Sequence, residues 1–177
     1  MDATEKLPTS SQCAVRELID RHGVMQPDRV FARFASGRPD WTWGQVREDV
    51  RATAGMLRAL GVGQGDHVAM WLPNGPEALK AWFAVNYLGA VIVPINQAYR
   101  GRLLEHAIAL SDARILFVHA DLLDRLADVD PARLEVLLVQ GGAAPPRSGL
   151  KVLDPETAPR TQDLALEREV APWDTQS

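Results

Sequence analysis

Two arginines flanking a glycine, Arg100-Gly101-Arg102, are the residues of this sequence best typed and spaced to hold a ligand. They follow an apolar run, Ala90–Ile95, and open a helical pattern. Guanidinium groups beside the free amide N–H groups of a helix start suit anions such as phosphate. A position just past a strand also lies at the carboxyl end of a sheet, where open α/β folds hold their ligands. We therefore expect Arg100 and Arg102 to contact an anion; the bland alternative is a solvated loop carrying two basic residues.

Other chemistry fails on spacing. Gly61, Gly63 and Gly65 resemble a dinucleotide fingerprint, but its third glycine would fall on Asp66, and the segment precedes a strand instead of following one. A helix end followed by a turn explains it. A phosphate loop of the Gly-Lys-Ser/Thr type is absent, because Lys6, Lys80 and Lys151 are followed by Leu7, Ala81 and Val152. No serine sits in a Gly-x-Ser-x-Gly elbow. His22, His67, His106 and His119 are not at metal-ligand spacing. Cys13 falls in an amphipathic pattern and reads as a small packing or surface residue. Asp121, Asp124, Asp128 and Asp130 read as a solvated helix face and loop. Trp71 and Trp82 read as core residues, with indole N–H groups finding carbonyls.

The elements that position these residues follow from hydrophobic periodicity. Ser10 or Ser11 caps a first helix with Val15, Leu18 and Ile19 on one face, ended by Gly23. Val30–Phe34 and Trp41–Trp43, separated by the turn cluster Gly37–Asp40, form a hairpin. A helix over 44–60 carries the stripe Val46, Val50, Ala54 and Leu57 and ends at Gly61. Four short apolar strands then alternate with helices: 67–72, 90–95, 114–119 and 134–140, with helices over 77–88, 102–111 and 120–127. This alternation predicts right-handed βαβ crossovers and a parallel sheet covered on both faces. We divide the chain into an N-terminal helix and linker (1–26), an α/β subdomain (27–140) and a Pro-rich extended segment (141–177). That last segment carries one helical patch around 164–168.

Composition bounds the function. The chain has 177 residues, 46% hydrophobic and 24% charged, with a formal net charge of −4. Such a chain is globular and lacks the concentrated positive charge that nucleic acid requires. A single cysteine excludes an internal disulfide and suits a reducing compartment. The polar start, Met1–Pro8, is no secretory leader, and the most apolar run, Ala81–Ile95, is too short to span a bilayer. We expect a cytoplasmic protein with no transmembrane segment.

Four stretches, in order, resemble the N-terminal region of the adenylate-forming (AMP-binding) enzymes, the superfamily of acyl-CoA synthetases, peptide-synthetase adenylation domains and luciferases. Trp41–Val46 (WTWGQV) is similar to an early TYxEL element. GVGQGDHVAMWLPN, from Gly61 to Asn74, is similar to G(V/L)xxGDxVA…LPN. YLGAVIVPIN, from Tyr87 to Asn96, resembles GAxxVPxN, and Ser111–Leu116 resembles the strand entry after it. Asn96–Gly101 resembles the INxxYRG form of the acyl-CoA ligases. Pro172–Gln176 resembles the lead-in to a Ser/Thr/Gly-rich phosphate loop that would come after Ser177.

The resemblance implies an α/β subdomain of an ATP-dependent acyl-CoA ligase, which joins a carboxylic acid to CoA through an acyl-adenylate and releases AMP and pyrophosphate. The full enzyme would use ATP, Mg²⁺ and CoA. The phosphate loop and the catalytic lysine of the family lie downstream, so we expect no catalytic residue in this chain, no bound cofactor, and inactivity alone. The resemblance also places Arg100 near the CoA phosphates. Missing later strands would leave Ala90–Ile95 or Leu134–Val139 at an exposed edge and promote self-association. The competing reading is a non-catalytic binding or oligomerisation module on an enzyme-derived fold. A complete flavodoxin-like enzyme would need a phosphate loop that Pro73-Asn74-Gly75-Pro76 does not supply.

Overall fold

The computed structural model describes residues 9–35, 37–143 and 145–175. The leader reading of Met1–Pro8 and the terminal pair Gln176–Ser177 lie outside the described residues. Thr9, rather than Ser10 or Ser11, precedes the first short helix α1 (Ser10–Cys13), and α2 (Val15–Met25) follows. Gly23 does not end α2. It is buried within it, where a Cβ would strike the Arg47 side chain.

The hairpin forms from β1 (Val30–Ala32) and β2 (Trp41–Thr42), paired antiparallel. Helix α3 (Trp43–Ala59) begins at once, one residue earlier than its hydrophobic stripe suggests. The cause is a capping box: Thr42 Oγ1 accepts the Gln45 N–H at 3.4 Å, and Gln45 Oε1 accepts the Thr42 N–H at 2.9 Å.

The remaining elements are β3 (His67–Trp71), α4 (Pro76–Tyr87), β4 (Val91–Pro94), α5 (Gly101–Ser111), β5 (Ile115–His119), β6 (Val136–Gln140) and β7 (Lys151–Leu153). Residues Ala120–Leu126 wind as a 3₁₀ helix. The five strands β3 to β7 form one parallel sheet in the order β4-β3-β5-β6-β7. The expected α/β parallel sheet is thus present, with an added strand. Segment 141–177 is not all loop, because β7 pairs with β6. No helix forms at 164–168. Strand β6 is therefore interior, and Leu134–Val139 is not an exposed edge; β4, with Pro94 at its end, and β7 are the two edge strands.

Alternation along the strands splits the core in two. Val68, Met70, Phe117 and Leu138 pack against α3 and α4. Ala69, Trp71, Leu116, Val118 and Leu137 pack against Leu104 and Ile108 of α5 and the 3₁₀ helix. Each fully buried Leu, Ile or Phe contributes on the order of 1.5–3 kcal/mol.

Helix α2 is fastened to this body through a buried tyrosine. Tyr87 of α4 donates its hydroxyl to Asp20 Oδ2 at 2.6 Å and accepts from Arg51 at 2.5 Å, while Arg47 holds Asp20 Oδ1 at 2.8 Å. Burial first, then the Asp20 carboxylate, push the Tyr87 phenol up to about 12. Arg16 stacks on the Tyr87 ring at 4.5 Å and donates to the carbonyls of Tyr87 and Leu164. The segment after β7 is thereby strapped over α3. Thr161 N–H donates to Gly55 O at 3.1 Å, an approach so close that a Cβ at 55 would collide with the Thr161 carbonyl.

Candidate functional site at the carboxyl end of the sheet

The chain leaves β3 toward β4 on one side and later returns to β5 on the other. The order reverses between β3 and β5, and open α/β folds place ligands outside the carboxyl ends of strands at such a point. A cleft of about 470 Å³ lies there, lined by Phe34, Leu72, Asn74, Glu77, His119 and Gln140 among others. A second hollow of about 570 Å³ continues it past β6 and β7 and shares Glu77, Gln140 and Gly141.

Sheet geometry sets the polar floor. His119 and Gln140 are the last residues of β5 and β6 and face each other in register. They continue the face of Phe117 and Leu138, on the α4 side. The Gln140 residue is 9% exposed, and its Oε1 is buried without a hydrogen-bond partner. His119 Nδ1 lies 3.3 Å from the Asp121 N–H, which it accepts when the neutral ring carries its proton on Nε2, and 3.4 Å from the Asp121 carboxylate. Gly141 turns away in a left-handed conformation (φ 81°), and the His119 ring occupies the space a Cβ would need.

The wall is the start of α4. Pro76 stands in its first turn, so one of the free N–H groups is missing there. Glu77 adds a carboxylate and accepts from Arg38 at 2.7 Å. Burial pushes the Glu77 carboxyl up. The Arg38 hydrogen bond, the helix amide and the charges of Arg38 and Lys80 override it and hold the group below its usual range. Lys80 in turn pairs with Glu156 at 3.2 Å. The rim is charge-balanced.

Arg100 and Arg102 lie elsewhere at the same end of the sheet. Arg100 caps α5, Gly101 has φ 51°, and both arginines are exposed, with no hydrogen bond or ion pair among the described residues. Neither lines the cleft. The loop before them is pinned: Arg125 donates to Gln97 O at 2.6 Å, Gln97 to Leu72 O at 2.9 Å, and Trp71 Nε1 to Asn96 O at 3.1 Å. Trp71 is thus a core residue whose indole found a carbonyl. Cys13 is exposed, and the four aspartates at 121–130 are exposed as well. Among the described residues no group of three or more His, Cys, Asp or Glu side chains could hold a metal ion, so no residue here is assigned to Mg²⁺. No helix among them is long and apolar enough to cross a membrane.

His119 and Gln140 escaped the sequence reading. Their signal was present: each is the single polar residue closing an otherwise apolar strand, in ILFVH and VLLVQ.

A parallel sheet whose order reverses between β3 and β5, with helices on both faces, defines a doubly wound α/β subdomain. The family model "AMP-binding enzyme" matches residues 19–175, and the chain belongs to that family. It is 30% identical over 124 residues to a medium/long-chain-fatty-acid–CoA ligase of Mycobacterium tuberculosis, covering 70% of this chain and 20% of the relative. It is 32% identical over 164 residues to an indoleacetate–CoA ligase of Aromatoleum aromaticum, covering 82% of this chain and 30% of the relative. The fold is that of an anthranilate CoA ligase solved with anthranoyl-AMP, with a TM-score of 0.72 at 23% identity over 98% of this chain and 32% of the other. The chain thus spans about a fifth to a third of the length of these relatives.

Proposed function

We propose that this chain is the N-terminal α/β portion of an ATP-dependent acyl-CoA ligase. The complete enzyme would convert a carboxylic acid, ATP and CoA into acyl-CoA, AMP and pyrophosphate through an acyl-adenylate. The observation that carries this reading is that relatives named as CoA ligases match across 70% and 82% of this chain while it covers 20% and 30% of them. The chain alone forms no adenylate, because no described residue supplies a phosphate loop or a catalytic lysine. Arg100 and Arg102 would contact the phosphates of CoA from the start of α5. Copies of the isolated chain would associate through the β4 edge, which light scattering over a concentration series tests.

Acid-dependent ATP–pyrophosphate exchange tests the activity, with indoleacetate and a medium-chain fatty acid as acids. We expect this chain alone to match a no-protein control, and exchange above that control overturns its inactivity. The DNA after the Ser177 codon tests the parent enzyme. An encoded Tyr-Thr-Ser-Gly loop in any frame supports a ligase, and unrelated sequence overturns it.

A further inference from the structure

The cleft at the β3/β5 reversal carries polar groups for which the proposal above has no use. Gln140 presents a buried acceptor with no donor. An unmade hydrogen bond of this kind is unfavourable, and buried polar groups are otherwise nearly always paired. The terminal carboxamide torsion is soft, so the side chain can turn its oxygen toward the cleft it lines. One strand away and in register, the His119 ring lines the same cleft, with its Nε2 against Gly141 and able to donate when it carries the proton. An acceptor next to a donor is complementary to an edge that bears an N–H donor beside a carbonyl acceptor, as a primary carboxamide does.

The surroundings select against charge. At the start of α4 the attraction for anions is reduced by Pro76 and opposed by the Glu77 carboxylate, and Arg38 is already held by Glu77. A cation meets Arg38 and Lys80 in the same way. Phe34, Leu72 and Pro73 give the cleft apolar walls. About 470 Å³ lies within the usual size range of small-molecule sites, about 300–1,000 Å³.

We propose that this cleft binds an uncharged planar ligand through a primary carboxamide, whose N–H group donates to Gln140 Oε1 and whose carbonyl accepts from His119 Nε2. The site is separate from the anion contacts assigned to Arg100 and Arg102.

Nicotinamide is the probe, and nicotinate, the same ring with a carboxylate, is its control. Titrated into the ¹⁵N-labelled chain without ATP or CoA, nicotinamide is expected to produce saturable shifts of the Gly141 amide and the Gln140 side-chain amide. Nicotinate is expected to leave both in place. Gln140→Leu should weaken nicotinamide by about fivefold, the usual loss with one neutral hydrogen bond. If that variant does not fold, His119→Phe serves the same purpose, with the same expected loss. Absence of saturable shifts, equal response to nicotinate, or unchanged affinity in a folded variant overturns the proposal. Because no ATP or CoA is present, either outcome is independent of whether the parent protein is a ligase.

Discussion

The two ends of the parallel sheet differ in how they use their charged groups. At the amino end Arg114 grips Glu135 with two hydrogen bonds of 3.0 and 2.9 Å, Arg133 meets Asp112 at 2.5 Å, and His67 Nδ1 lies 2.8 Å from Ser111 O. The hollow among these residues is only about 160 Å³, and a wider one of about 690 Å³ opens beside it at Gln64, Gly89 and Arg168, where the buried Gln64 Nε2 has no acceptor. At the carboxyl end the cleft of about 470 Å³ keeps a buried acceptor, Gln140 Oε1, without a partner. A polar group that is fully paired has nothing left to offer a ligand, whereas an unpaired one does. The ion pairs around Arg114 and Arg133 are therefore mutually satisfied, whereas Gln140 at the carboxyl end keeps an acceptor to offer.

The contrast can be broken from the middle. Phe117 is fully buried at the centre of β5, beneath both ends. Phe117→Ala should cost about 3–5 kcal/mol. In urea titrations followed by hydrogen exchange, both ends should lose protection together, and loss at one end alone would make them separate folding units.

Gly141→Ala acts on the carboxyl end alone. The left-handed backbone costs a Cβ-bearing residue about 1–2 kcal/mol, and the new methyl also displaces the His119 ring. We expect a lower urea midpoint and loss of the nicotinamide response, with the Arg114 and Glu135 signals unmoved.

Gln140→Leu should have the opposite sign. Removing an unpaired buried acceptor for an apolar group of similar size is neutral or stabilising by up to about 1 kcal/mol. A clear destabilisation in calorimetry would mean that the carboxamide is satisfied in solution.

The amino end is sharpened by acid. The Arg114 hydrogen bond, overriding a smaller effect of burial, lowers the Glu135 carboxyl below its usual range. A group lowered on folding stabilises fully above its unfolded value, about 4.3, and loses that contribution as pH falls through the lower native value. Glu135→Gln should therefore flatten the stability profile below about pH 4, where the two proteins converge, and lose near neutrality the small contribution the paired carboxylate makes there.

The smallest effect on stability is expected at α5. Arg100→Ala with Arg102→Ala, both exposed, should change stability by less than about 0.5 kcal/mol. Binding of 3′,5′-ADP, a fragment of CoA, should weaken in calorimetry if the arginines meet its phosphates.

Much of the sheet was legible because its strands are apolar runs closed by turn residues. The strands 67–72, 90–95, 114–119 and 134–140 appear as β3 to β6 with ends shifted by at most two residues. Strand β7 was not legible. Three residues, Lys151-Val152-Leu153, carry no period, and they are a strand only because β6 offers its free edge. The helical patch at 164–168 failed for a tertiary reason. Arg16 takes the Leu164 carbonyl and Arg58 takes the Ala165 carbonyl, so the acceptors a helix would need are spent on distant side chains. The cleft was missed because register, which no local pattern states, brings His119 beside Gln140.

The bond from Arg16 to Leu164 closes a loop of 148 positions in sequence. A ribosome adding about 5–20 residues per second completes the α2 residues on the order of ten seconds before their last anchor exists. During that interval the arginine can stack on Tyr87, but it cannot fasten the strap. The N-terminal helix is thus made early and locked late, which sets a timing requirement for this chain during its own synthesis.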